Sequence, residues 1–251
     1  SHAPWHIIEA SNARHRDARV GEILIERLAA RLDEPPPSSG RVTVSSPAMH
    51  RAGDPGVLAA VPLDARMDDK AYRKALEEYG AELWDLAWKA WRQRVTTVAV
   101  FEGWDAAGKG GAIRRVTQAM DARLYRVISV AAPTDEEKAH HYLWRFWRHL
   151  PRDGYHTLYD RSWYGRVLVE RVEGFASALD WQRAYNEINS FEEQLVDHGT
   201  VLLKFWVHID QEEQLRRFRE REQSPLKQHK ITAEDWRNRE RWPDYERAVT
   251  D

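Results

Sequence analysis

Apolar positions fall into two alternating rhythms along this chain. Val20, Ile23, Leu24, Arg27 and Leu28 stand at helical spacing within residues 13–32, the spacing of one helix face. The short apolar run WHIIE at 5–9 precedes them and reads as a strand. DEPPPSSG at 33–40 ends the helix, and proline, serine and glycine dominate to about Pro62, the composition of a linker or long arm. Order resumes with DDKAYRKALEEYGAELWDLAWKAWRQR at 68–94. There Leu76, Leu83, Leu86 and Ala90 give one apolar stripe, and Trp84, Trp88 and Trp91 recur at helical spacing as an expected core face or seam between copies. VTTVAVFEG at 95–103 has the continuous apolar character of a buried strand. A helix from Lys109, a strand near 124–132, a helix across 135–149, a strand at 155–160, a helix across 180–197 and a strand at 200–209 continue the alternation.

Strands alternating with helices predict an α/β fold, with a parallel sheet covered on both faces. Ligands of such sheets sit at the carboxyl ends of the strands. The two motifs richest in chemistry fall there.

The first is FEGWDAAGKGGAIRR, 101–115, whose Gly103, Gly108 and Lys109 satisfy G-x-x-x-x-G-K between a strand and a helix. Glycines let backbone N–H groups face a phosphate, the helix N-terminus adds positive potential, and Lys109 supplies a mobile charge. Gly103, Ala106, Ala107, Gly108, Lys109, Gly110 and Gly111 are therefore the candidate phosphate holders. Gly110 stands where such loops carry a metal-binding hydroxyl. Inside the loop sits Asp105, an acid among amides arranged for anions. It reads as the missing metal ligand, as a base on the incoming oxygen, or as a loop aspartate capping Ala107 or Gly108.

The second motif is LYDRSWYGRVLVERV, beginning at a strand end. Asp160 is placed like the acid that holds magnesium across from a phosphate loop, the alternative being a helix N-cap. Arg161 and Arg166 suit planar contacts to phosphate. For Arg166 and Glu170, an ordinary i,i+4 ion pair competes evenly with a substrate role. Further on, EEQLRRFREREQSPLKQHK at 212–230 carries a break at Pro225. Arg221, Lys227 and Lys230 read as a basic flap over a phosphate site, and Arg216, Arg217 and Arg219 as a solvated helix of alternating charge.

Composition narrows the classes. A length of 251 residues suffices for one α/β domain of full size. A net charge of −2 provides no global field for a polyanion, so any anion site must be local, and nucleic acid is not an expected partner. No cysteine is present, which excludes disulfides, thiolate catalysis and zinc–cysteine sites and makes the cytoplasm the expected compartment. No apolar run has the length of a membrane span.

Taken together, FEGWDAAGKGGAIRR, AAPTDEEKAHHYLWRFWRHLP, YDRSWYGRVLVERVEGF and SPLKQHKIT before WRNRERW resemble the polyphosphate kinases of the second type, in the expected order from about Leu63 onward. Trp104 and EINSFEEQL look most like the branch called polyphosphate:AMP phosphotransferase. The resemblance implies a three-layer αβα P-loop kinase-like fold with a helical lid at about 215–240. It implies phosphoryl transfer between inorganic polyphosphate and a nucleotide, AMP being converted to ADP. It carries activity onto Asp105, Lys109, Asp160, Arg161 and Arg221, with magnesium or manganese on Asp105 and Asp160. Arg161, Arg166 and Glu170 fall to the nucleotide, and Lys227 and Lys230 to the lid, where Gln228 replaces a basic residue frequent in relatives.

One departure concerns the front of the chain. APW followed by a strand and a helix occurs after the lid in this family, so residues 1–32 look like the tail of a preceding domain, 33–62 like a linker, and 63–251 like the kinase domain without its own tail. That reading expects the front strand to fill an empty sheet edge in this or a neighbouring chain, and a homo-oligomer or tandem association. The rival readings are an ATP-dependent nucleoside monophosphate kinase similar to thymidylate kinase, and a non-catalytic polyanion-binding domain.

Overall fold

The computed structural model describes residues 3–33 and 56–251. Most of the expected arm, residues 34–55, lies outside them. The elements are β1 (Trp5–Glu9), α1 (Ala13–Asp33), α2 (Asp69–Gln93), β2 (Thr97–Gly103), α3 (Lys109–Gln118), β3 (Tyr125–Ser129), α4 (Asp135–Lys138), α5 (Trp144–Trp147), β4 (His156–Asp160), α6 (Val169–Val172), α7 (Ala178–Asp197), β5 (Val201–His208), α8 (Gln211–Gln223), α9 (Ala233–Glu240) and α10 (Trp242–Thr250). The five strands form one sheet in the order β1-β5-β2-β4-β3. Every pairing is parallel.

Strand alternation sorts the core into two layers. Ala99, Phe101, Leu203 and Phe205 face α1, α2 and α3, burying Val20, Ile23, Leu24, Leu28, Leu83 and Ala87. Val98, Val100 and Leu202 face the other way, onto Ile188, Phe191 and Leu195 of α7 and Phe146 of α5. Period-2 side-chain alternation makes this division automatic once the sheet is parallel and covered twice. A third cluster closes the carboxyl ends of the strands with Trp104, Trp206, Ile209 and Trp242. Among the described residues no helix is long and apolar enough to cross a membrane.

The front strand lies in this chain's own sheet, with Trp5 opposite Lys204 and Glu9 opposite His208 on β5. Its helix packs on α2 and α3.

Two expectations change. Residues 135–149 form not one helix but two single turns, α4 and α5. Thr134 and Glu137 cap the first reciprocally, and Ala139 ends it. His140 then turns back, its Nδ1 2.8 Å from the Glu136 carbonyl and its ring stacked on Trp144 at 4.0 Å. On α2, the core face is Leu83, Ala87 and Ala90. Trp84 and Trp91 lie outside this core, 43% and 42% exposed, while Trp88 is partly buried beneath the Arg123 guanidinium.

Candidate active site

The loop 103–108 connects β2 to α3 at the carboxyl end of the central strand. Gly103 has φ 139° and packs against Val207 so closely that a Cβ there would lie 2.8 Å from the Val207 nitrogen. Ala106 and Gly108 also take positive φ, 62° and 111°. Successive reversals of this kind turn N–H groups toward one concavity, the geometry of an anion nest. Lys109 opens α3, and its Nζ donates to the carbonyls of Gly103 at 2.8 Å and Trp104 at 3.1 Å. The ammonium is thus held at the loop on two exchangeable bonds.

β4 lies beside β2 with Asp160 opposite Phe101. A Cβ built at Gly110 would stand 3.8 Å from Asp160 Oδ2. The position that usually bears a hydroxyl is therefore empty of side chain and faced by a carboxylate from the neighbouring strand. Asp160 is not a cap; Ser162 fills that role, accepting from the Tyr164 amide. Arg161 adopts φ 66°, rare for a residue with a Cβ, and its amide donates to the Phe101 carbonyl at 3.0 Å. Strained backbone of this kind clusters at functional sites.

The reversal carries the Arg161 guanidinium to Asp105, Nη2 to Oδ1 at 3.0 Å. The other Asp105 oxygen accepts from Asn238 Nδ2 of α9 at 3.0 Å. Burial alone would push the Asp105 carboxyl up, but the charges of Lys109 and Arg161 with the bonds from Asn238 and Arg161 hold it below the ordinary carboxylate range. It is an ionised group, not a cap on its own loop, since the Ala107 amide bonds to the Trp104 carbonyl. Glu102, buried next to the loop, accepts from Ser162 Oγ at 2.8 Å, and burial pushes its carboxyl up.

Asp105, Lys109, Asp160 and Arg161 therefore converge around one loop. Arg166 and Glu170 form the i,i+4 ion pair, at 3.1 Å, with the guanidinium over the Tyr142 ring at 4.4 Å. Arg221 sits in the last turn of α8. Lys227 is exposed on the following turn, which Lys230 closes; the Lys230 side chain lies outside the described residues.

Four residues on the loop's outer side carry no functional reading in the sequence or the wrong one. Gln214 Nε2 donates to the Asp105 carbonyl at 3.1 Å. Arg217, expected in solvent, is mostly buried and donates to the carbonyls of Ala106 and Ala107 at 3.0 and 2.8 Å. Alternating charge along α8 hid it, although Gln214 and Phe218, buried at i and i+4, mark the inward face that Arg217 borders. Its neighbours Arg216 and Arg219 are exposed as expected. Arg16 of α1, 5% exposed, reaches the Ala107 carbonyl. Trp242 of α10 stacks on Trp104 at 3.6 Å and 12°, and Trp104 Nε1 donates to His208 Nδ1 at 3.0 Å.

A divalent cation takes oxygen donors, one or two carboxylates with water and phosphate oxygens completing its shell. Asp160 beside Gly110 and Asp105 within the loop are carboxylates of that kind. Among the described residues no cluster of three or more His, Asp or Glu offers an all-protein cage instead.

The family model for polyphosphate kinase 2 matches residues 66–251. The chain belongs to the polyphosphate kinase 2 family. It is 50% identical over 250 residues to a polyphosphate:AMP phosphotransferase of Pseudomonas syringae, covering all of this chain and 50% of that protein. It is also 40% identical over 206 residues to an NDP-polyphosphate phosphotransferase of Ruegeria pomeroyi, covering 81% of this chain and 68% of that one. The chain thus spans about half the length of the first of these relatives. A crystal structure of polyphosphate kinase 2 from Arthrobacter aurescens superposes with a TM-score of 0.73 at 34% identity, over 80% of this chain and 74% of that one. The P-loop kinase-like architecture expected of this family is the one observed.

Proposed function

We propose that this domain transfers a phosphoryl group from inorganic polyphosphate to AMP, giving ADP. The observation that carries the reading is the meeting of Asp160 with Gly110 and of Arg161 with Asp105, around a phosphate loop and its lysine. The chain's similarity to polyphosphate:AMP phosphotransferases supports polyphosphate as donor and an adenine nucleotide as acceptor.

An AMP phosphate oxygen forms the new bond to the terminal phosphorus of the chain. The P–O bond to the penultimate phosphoryl breaks, and its electron pair leaves with the shortened polyphosphate. That AMP oxygen is already anionic at neutral pH, so no side chain need remove a proton. Positioning and charge compensation carry the acceleration. The loop amides and Lys109 grip donor phosphates, and Lys109 exchanges its two carbonyl bonds for phosphate oxygens. Arg161 and Arg221 screen the transferring group, Arg166 and Glu170 border the nucleotide, and Lys227 and Lys230 meet the incoming chain. Asp105 and Asp160 would hold Mg2+ or Mn2+, which supplies neutralisation of charge between donor and acceptor. The cysteine-free sequence suits the cytoplasm, and exposed Trp84 and Trp91 suit contact with a second copy.

A donor–acceptor matrix tests the proposal: polyphosphate or ATP as donor, with AMP, ADP, GMP and GDP as acceptors. ADP formed from polyphosphate and AMP without ATP is expected. Transfer from ATP alone would overturn it.

A further inference from the structure

A phosphate loop that turns its amides inward turns its carbonyls outward, and buried carbonyls require donors. Behind this loop the donors come from opposite ends of the chain. Arg217 Nη1 of α8 donates to Ala106 and Ala107, while its Nη2 donates to the carbonyls of Ala10 and Ser11, just past β1, at 2.7 and 3.1 Å. Arg16 Nη1 of α1 donates to the same Ala107 carbonyl at 3.3 Å.

Arg16 is itself fixed. Its Nε and Nη2 both donate to Asp17 Oδ1, at 2.8 and 2.6 Å, and Asp17 Oδ2 accepts from the Tyr72 hydroxyl at 3.0 Å. Its guanidinium occupies the space a side chain at Gly108 would need, and a Cβ at Gly111 would lie 2.7 Å from its Nη2. At Gly108 the backbone φ of 111° already favours glycine, and at Gly111 a side chain would require this guanidinium to shift. Both guanidiniums have carboxylate partners, Asp17 for Arg16 and Glu213 for Arg217. They are therefore poor candidates for direct anion ligands and well placed as rigid donors.

We propose that Arg16 and Arg217 are positioning residues that lock the Ala106 and Ala107 carbonyls and, through the Ala107–Gly108 peptide, keep the Gly108 amide at the head of α3 aimed at the donor phosphate. The segment β1–α1, which lies outside the matched residues 66–251, is then part of the phosphate site. The inference rests on the reading of the loop as the polyphosphate grip. Small displacements of a reacting group cost up to about a hundredfold in rate, so loosening this loop weakens donor use selectively.

The test varies polyphosphate and AMP separately in Arg16→Ala, Arg16→Lys and Arg217→Lys, with melting temperatures and calorimetric binding of tripolyphosphate. The expected result for Arg16→Ala is a KM for polyphosphate raised at least about fivefold, weaker tripolyphosphate binding, and a KM for AMP within about twofold of the parent, with Arg16→Lys partly restored. A loss of folded fraction alone would lower kcat and leave both KM values unchanged. Unchanged KM values in the folded variant, or equal rises in both, overturn the proposal. Should Arg16→Ala not fold, the two lysine variants decide by the same criterion. Lys109→Ala separates the two readings. If it keeps tripolyphosphate binding and transfer, the loop's function is wrong; if it loses both while the arginine variants behave as the parent, only this inference fails.

Discussion

Replacing Trp242 by alanine tests whether the phosphate loop is clamped from the C-terminal side. The indole is 7% exposed and lies face to face with Trp104, which itself meets Trp206 edge-on at 5.8 Å. A buried tryptophan removes roughly 200 Å² from water, worth about 5 kcal/mol at ~25 cal/mol per Å². Aromatic-to-alanine changes in cores cost about 3–5 kcal/mol, so about 4 kcal/mol is expected here. For a domain of this size each kcal/mol lowers the melting temperature by about 2–4 °C, giving a fall of about 8–16 °C by calorimetry or circular dichroism. Trp242→Phe keeps a ring on Trp104 and should recover about half of it. Because Trp104 follows Gly103 in the loop, the alanine variant should also raise the KM for polyphosphate. A melting temperature within about 2 °C of the parent would show that the stack contributes little and refute the reasoning.

The buried pair Lys204–Glu192 at 2.7 Å, with Tyr164 and Trp163 donating to the same carboxylate, predicts that Lys204→Met costs about 3–5 kcal/mol in denaturant unfolding by leaving a buried charge unpaired. Adding Glu192→Gln should restore most of it, and strictly additive losses would contradict the account. His156 is buried in β4, and burial pushes its imidazole down to about 4. Its folded pKa lies below the unfolded value, so its contribution is complete above about pH 6.5 and is lost as pH falls toward 4, about 3 kcal/mol in all. His156→Leu should flatten the acid-side fall in melting temperature, and parallel slopes would count against this. Asp160→Asn should raise the Mg2+ concentration for half-maximal rate by about tenfold or more, whereas an unchanged titration would remove Asp160 from the cation site.

The fold is readable because the central strands β2 and β5 are apolar runs and α1, α2 and α7 keep a buried face at helical spacing. Helix α1 shows this: Val20, Ile23, Leu24 and Leu28 of the pattern are buried, while Arg27, counted with them, is exposed because a guanidinium at the border of that face reaches solvent. The break between α4 and α5 was not readable, because it depends on a capping box and a histidine stacking back on Trp144, not on periodicity. Asp105, Lys109 and Asp160 were legible because strand-end motifs need only a parallel sheet to bring them together. Arg16 and Asn238 were not. Each is a polar residue on a polar-rich helix, and its meaning comes from a loop 91 or 133 positions away in sequence.

That distance also says which contacts can change during turnover. Asp105 accepts one hydrogen bond on each oxygen and keeps lone pairs for a cation, and in the proposed reaction releasing a donor would open further room there. Arg161 holds it through an ion pair and Asn238 through a neutral amide. Charge-assisted bonds are roughly twice as strong as neutral ones, so the amide, although it too meets an ionised oxygen, is the cheaper bond to release. Asn238 belongs to α9, on the far side of the turn that carries Lys227. The rear of the loop, by contrast, is tied to α8 by Gln214 and Arg217 and to α1 by Arg16. The site is therefore built with one stiff side and one exchangeable side. Movement confined to the segment beyond α8 would free the carboxylate without disturbing the amides, which is what a site needs if it must admit a charged chain and still keep its phosphate grip in register.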